Sequence, residues 1–224
     1  MSKEYLKLLL MLCIINTFNL FAQQDNRKFN ISLCCGAAPI GLGPASGMEN
    51  AMKSQGYDEE SYFFGERVTY PHSYSGSLSW MIQGQYLLNK TFSLSLTAGE
   101  VDLGNTIGSK PENSAFLHIY YSIFAICPAV MVNLGNIFQI GAGPAFFNAK
   151  ANNETHFRLG LVFEAGFNYP ADSRYFFRFL YQFRYVGKID IGAQRQDFSD
   201  QYSAPIGEIL YDHTFIGTGV GVRI

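Results

Sequence analysis

His118, Tyr120 and Ser122 stand at alternate positions of the run FLHIYYSIFAICPAVMVN. If that run is a strand, the three share one face. A serine hydroxyl with a histidine base is the equipment of a nucleophilic hydrolase, and at outer-leaflet depth its substrate would be lipid. The spacing is looser than a direct neighbour pair, and no acid partner stands nearby. His118 therefore reads as a strand-end residue and no catalytic residue is assigned. A deacylase-like use of His118 and Ser122 is the alternative. A second cluster, Asp212, His213 and Thr214, fails as a unit because consecutive strand residues point to opposite faces. His213 falls on the side of Gly217 and Gly219, where a hydrogen bond inside a barrel is its simplest role. The glycine runs GAGPA and GTGVG sit in strand alternation and precede no helix, so they are not phosphate loops. Glycine there permits curvature or close packing.

Cysteine offers no further chemistry. Cys13 lies in an apolar leader, and Cys34, Cys35 and Cys127 remain beyond it. Three is no disulfide framework, and adjacent Cys34 and Cys35 point apart on a strand. No Cys or His follows at ligand spacing, so neither a metal nor any other cofactor is implied.

The elements that must position these residues have a distinctive composition. The chain has 224 residues, a net charge of −2, only 15% charged residues, and 16% aromatics including 20 Phe and 14 Tyr. A near-neutral balance gives no field for nucleic acid. Few charges with many aromatics suit a protein with a large surface in lipid. Residues 1–22 read as a secretory signal peptide: Lys3 and Lys7 precede an apolar run from Leu8 to Phe21, and cleavage is expected after Ala22. Residues 23–224 are then one domain, and they contain no other apolar span long enough for a transmembrane helix.

Beyond the leader, the hydropathy alternates with a period of two. In KFNISLCCGAA, Phe29, Ile31 and Leu33 oppose Asn30 and Ser32. Similar alternation marks SGSLSWMIQGQYLL, TFSLSLTAGEV, IFQIGAGPAFFN and EILYDHTFIGTGVGVRI. The segment His156–Gly187 supplies two more strands, with Phe157, Leu159, Leu161, Phe163, Phe177, Phe179 and Tyr181 at odd positions. The run holding His118 is apolar on both parities, so its facing stays open. The total is eight strands. Turns at Asn89–Lys90, Asn133–Asn136 and Pro170–Ser173 are short. The other connections are long and polar: Pro39–His72, with a helix expected from Met48 to Gln55 and ended by Gly56, then GNTIGSKPENS, NAKANNET and IGAQRQDFSDQYSAPIG. Short turns at one end and long loops at the other describe an eight-stranded antiparallel transmembrane β-barrel, with periplasmic turns and extracellular loops.

Three features place the aromatics in lipid rather than in a soluble core. The polar face is mostly Ser, Gly, Thr and Gln, which suits a narrow lumen better than a wetted surface. The apolar face carries almost no charge. Most remaining charges, such as Glu60, Glu66, Lys110 and Arg195, fall in the long connections. Arg158, Glu164, Arg178, Gln182 and Arg184 then form a polar lumen network, with Glu164 the partner of an arginine on the neighbouring strand. Gln83, Gln85 and Gln139 add to the filling, so transport of anything larger than water or small ions is not expected. Tyr169, Tyr175 and Tyr185 fit interfacial girdles.

FQIGAGPAFFNA and DHTFIGTGVGVRI resemble the late strands of small outer-membrane β-barrel proteins of the OmpA/OmpX type. The resemblance is one of spacing and small residues over nearly all of the chain after the leader. It implies barrel-class membership and the outer membrane of a Gram-negative cell, with outer-membrane lipid as the surrounding partner. Such families often end on Phe, whereas this chain ends on Ile224, at lipid-face parity. The expected role is structural or surface-interacting, through the long loops, with Pro39–His72 the leading candidate for protein or ligand contact. The alternatives are the lipid-modifying enzyme above and a soluble lipocalin-like carrier of an apolar ligand.

Overall fold

A computed structural model of the protein describes residues 28–39, 44–57, 60–63, 66–74, 76–110, 115–135, 137–171, 173–196 and 199–224. The expected leader, residues 1–22, lies outside them. In chain order the elements are β1 (Phe29–Ala37), α1 (Pro44–Ser54), β2 (Glu60–Phe63), β3 (Glu66–Thr69), β4 (His72–Tyr74), β5 (Ser79–Leu87), β6 (Phe92–Lys110) and β7 (Ala115–Leu134). The remainder are β8 (Phe138–Ala151), β9 (Glu154–Tyr169), β10 (Tyr175–Tyr185), β11 (Lys188–Asp190), β12 (Ala193–Gln196), β13 (Ser199–Pro205), β14 (Glu208–Leu210) and β15 (His213–Arg223).

Eight of these strands close a ring in the order β1, β5, β6, β7, β8, β9, β10, β15, each antiparallel to the next. Closure runs from Asn30↔Arg223 to Ala37↔Ile216. The seam continues past both strand ends, where Phe29 and Ile224 exchange backbone hydrogen bonds of 3.2 and 2.7 Å. A closed ring leaves no unpaired edge in the bilayer. Glycine at inward positions of β15 permits this closure: a Cβ on Gly219 would run into the Leu33 carbonyl oxygen of β1.

The wall has the expected polarity. Phe177 (68% exposed), Tyr175 and Leu159 (66% each) and Phe157 (62%) point outward, as do Leu96, Phe163, Tyr185 and Val220. Their opposite neighbours, such as Arg178, Gln182 and Glu164, are buried. The ten steps from Tyr175 to Tyr185, at about 3.3 Å each and tilted about 40°, make a belt about 25 Å tall, the height of a hydrocarbon core spanned by a barrel. This is the reverse of a soluble carrier, whose aromatics would turn inward. The ambiguous run β7 also resolves. Ile126, Val130 and Leu134 face out, while Leu117, Ile119, Tyr121 and Ile123 are buried inside.

That inward face shows that the interior has two storeys. Toward the short turns it is polar, lined by Asn30, Gln85, Ser93, Asn133, Gln139 and Asn168. Toward the long connections it is apolar, with Val101, Leu117, Ile119, Ile123, Phe147 and Phe215. The apolar storey is roofed by Met48, Met52 and Tyr57 from α1 and its exit, and by Ile189 and Ile209 of the β11–β14 pair; all belong to one hydrophobic cluster. The expectation of a lumen filled by amides is thus right for one half only.

The long connections are more regular than their composition suggests. Of GNTIGSKPENS, Gly104–Lys110 is strand: β6 and β7 stay paired from Gly104↔Tyr121 to Lys110↔Ala115, and residues 111–114 lie outside the described residues. NAKANNET is a tight hairpin with Ala151 paired to Glu154, and Asn152 takes φ 51° at its tip, the left-handed conformation a two-residue turn demands. IGAQRQDFSDQYSAPIG contains the β12–β13 hairpin, and Pro39–His72 contains the β2–β3 hairpin as well as the helix. The helix runs Pro44–Ser54 and stops at Gly56, with φ +79°, as expected of a glycine past a helix end. These strands read as loops because, above the lipid, polar side chains can occupy either face.

Candidate functional site

The lumen network forms around one carboxylate. Glu164, on β9, accepts from Arg178 Nη2 at 3.2 Å, from Gln182 Nε2 at 2.7 Å, from Thr97 Oγ1 at 3.3 Å, and from Gln83. The register explains the convergence: Arg178 and Gln182 lie on β10 opposite Asn168 and Glu164 of β9, and alternation turns all four inward. Arg178 Nη1 donates to Asn168 Oδ1 at 2.8 Å and to Gln139 Oε1 at 3.3 Å. From Gln139 the chain of bonds runs through Asn133, Ser93 and Gln85 to Asn30. The polar storey is thus tied across the barrel by side-chain hydrogen bonds.

Arg184 sits where the storeys meet. Its Nε and Nη2 donate to Gln182 Oε1 at 3.1 and 2.8 Å, and Nη2 also lies 2.9 Å from Met81 Sδ. Arg158 is not part of the network. It is exposed and donates to the carbonyl of Phe157 at 3.4 Å. The reason is strand length: β10 pairs with β9 only as far as Leu161, so Arg158 has inward parity but no facing strand to enclose it.

His118 and Ser122 are not brought together. His118 Nε2 is 3.2 Å from Asn105 Oδ1, and its ring stacks on Tyr120 at 4.0 Å. Ser122 donates instead to Glu100 Oε1 at 3.3 Å, and Glu100 in turn lies 3.9 Å from Lys150 Nζ. Four strand steps of about 3.3 Å separate the two residues, well beyond hydrogen-bond reach. Among the described residues no group of His, Cys, Asp and Glu is arranged to hold a metal. Cys34 and Cys127 are buried free thiols, and Cys35 is exposed on the other face of β1.

His213 turns inward as its parity predicts, with Nδ1 donating to the Tyr211 carbonyl at 2.9 Å. Asp212 turns away and accepts from the backbone N–H groups of Val186 and Gly187 at 2.8 and 2.7 Å. It fixes the turn at which β10 gives way to β11. Tyr211 is fully buried under the roof, and desolvation pushes its phenol well above the usual range. Asp102 escapes a reading of the sequence. It accepts from Ser77 N and Oγ and from Gly104 N, and so holds the register shift in β6. Its one signal is an Asp two residues before Gly104, whose φ is +93°.

Above the belt, β6, β7, β8 and β9 continue as a protruding sheet. Its last strand is unpaired on one side. β9 bonds β8 along its whole length, but no described strand bonds the other edge from Glu154 to Gly160. Thr155, Phe157, Arg158 and Leu159 are all exposed there.

No family model and no curated protein sequence matches the chain. Solved structures do. The outer membrane protein OprG from Pseudomonas aeruginosa aligns at 12% identity over 88% of this chain and 96% of its own, with a TM-score of 0.50. Neisserial surface protein A aligns at 11% identity over 89% and 98%, with a TM-score of 0.44. Ail of Yersinia pestis, solved with the heparin analogue sucrose octasulfate, aligns at 8% identity over 87% and 99%, with a TM-score of 0.39. At such identities the likeness speaks for fold alone. The likeness to OprG, together with the closed ring, the outward aromatic belt and the buried polar network, gives this chain the fold of a small eight-stranded outer-membrane β-barrel.

Proposed function

We propose that the protein is a non-enzymatic component of the outer membrane, exported by its leader, residues 1–22, and acting by surface contact. The observation that carries this reading is the upper edge of β9, which pairs with no strand among the described residues. An exposed strand edge offers unpaired backbone donors and acceptors, and such edges pair with extended segments of other chains. Phe157 and Leu159 add exposed apolar area beside it. The Pro39–His72 connection is the second candidate for contact: in its described part Met48, Met52 and Tyr57 turn into the roof, while Asn50, Lys53 and Ser54 face outside. The same roof argues against a pore.

The test is cell adhesion. Cells displaying the wild-type protein are compared with cells displaying Phe157→Lys/Leu159→Lys at equal surface amounts, since edge lysines block strand addition. Adhesion to neighbouring cells and to protein-coated surfaces is expected to fall in the variant while the folded, heat-modifiable band is unchanged. Equal adhesion would refute the edge as the contact surface.

A further inference from the structure

The outer wall of the barrel is not evenly filled. On β9 and β10 the lipid face carries Phe167, Phe177 and Phe179, whereas the β15 residues paired with Phe177 and Phe179 are Val220 and Thr218. Thr218 in turn pairs with Cys35 of β1. Large rings thus step down to small side chains. The step is an open groove of about 410 Å³ lined by Phe167, Phe177, Phe179, Thr218 and Val220. Along β10 it lies two to four strand steps above Tyr175, at about 5–10 Å of depth from that girdle residue. This is the half of the belt next to the short turns, the periplasmic leaflet for a barrel of this kind. A groove that opens on hydrocarbon takes an acyl chain, and the chemistry at its foot decides which headgroup comes with it.

That foot is basic. Arg174 is exposed, and its guanidinium lies 5.8 Å from the centroid of the Tyr175 ring, which turns it to the lipid face. Arg223 of β15 stands beside it: its backbone N–H donates to the Arg174 carbonyl at 2.8 Å, and its Nη1 donates to the carbonyls of Pro170 and Ser173. The charged side chains described at the short-turn end are Lys28, Lys90, Arg174 and Arg223, all basic; Asp172 lies outside the described residues. Arg174 and Arg223 flank the pair of strands that bears the groove. Guanidinium donors match phosphate oxygens in geometry as well as charge. We propose that this groove, with Arg174 at its foot, is a site for one anionic phospholipid of the periplasmic leaflet. An acyl chain lies along Phe177 and Val220, and the phosphate meets Arg174. Charge complementarity selects an anionic head over a zwitterionic one, whose ammonium would face the same two guanidiniums.

Native mass spectrometry of the folded chain after the leader counts the lipids it carries. The protein in detergent is given dioleoyl phosphatidylglycerol and dioleoyl phosphatidylcholine at equal concentration, so that only the headgroup differs. The wild type is expected to retain one phosphatidylglycerol, about fivefold over phosphatidylcholine, the factor one arginine contributes at a membrane surface. Arg174→Ala is expected to bring phosphatidylglycerol down to the level of phosphatidylcholine. Thr218→Phe, which fills the groove, is expected to lower retention of both. Lys90→Ala, at the turn between β5 and β6 and away from the groove, is expected to change nothing. All three residues are exposed, and the heat-modifiable band reports that each variant is folded. Equal retention of the two lipids by the wild type overturns the proposal, as does a preference that survives Arg174→Ala or retention that survives Thr218→Phe. An equal loss in Lys90→Ala would make the attraction diffuse and overturn the site. A lipid-free dimer would give the groove to a second copy and overturn it too.

Discussion

Glu164 is the residue on which the polar storey turns. Its two oxygens serve Arg178, Gln182, Thr97 and Gln83 at once. Glu164→Gln removes the one negative charge and leaves Arg178 unpaired at 2% exposure. Breaking a buried pair from one side costs about 3–5 kcal/mol, so the variant should unfold at markedly lower urea than the wild type, or not assemble. At this scale the sequence is informative wherever parity alone decides: Glu164, Arg178, Gln182, Arg184 and His213 all turn inward as alternation requires. It misplaces Arg158 because parity says which way a side chain leaves the strand, not whether a neighbouring strand is still present at that height. His118 and Ser122 share a face, as expected, and that is all they share.

At the scale of elements, two devices invite opposite outcomes. Gly219 lies on β15 where a side chain would strike the carbonyl of Leu33 on β1. Backbone cannot yield as a flexible side chain can, so Gly219→Val should prevent closure and abolish the heat-modifiable band. The roof is different, because it lies above the lipid belt and supplies no strand to the ring. Met52, fully buried on α1, can be replaced by Ala at a cost of about 2–5 kcal/mol. That cost falls on the helix, so limited proteolysis should cut the Pro39–His72 connection faster while the barrel band persists. Alternation exposes the strands of the ring other than β7, because lipid on one side and a polar lumen on the other enforce a strict period. It cannot expose the strands above the lipid. In Gly104–Lys110 both faces tolerate polar residues, and the turn at Asn152 looks like any polar loop until its backbone conformation is known.

For the whole molecule, a polar storey knotted by hydrogen bonds lies beneath an apolar storey under a roof. No aqueous path is left for solutes through the described part of the barrel. The protein reconstituted in a planar bilayer should therefore give no stable conductance steps. Steady openings of uniform size would mean that the roof lifts. This arrangement is half legible in the sequence. The abundance of Gln and Ser announces the polar storey, but the apolar one is hidden in β7, whose two apolar faces cannot be told apart without knowing what covers the upper lumen.

The seam between the first and last strands has a consequence for how a cell handles incomplete copies. β1 can find its final neighbour only once β15 exists, since Phe29 and Ile224 close the same ladder. Any chain cut short before residue 213 therefore carries two raw edges, on β1 and β10, at bilayer depth. It has no stable way to enter lipid, and its open strands are templates for aggregation. Synthesis through β15 is thus checked by geometry: only a chain that includes β15 can hide the edges of β1 and β10, and shorter ones leave them open.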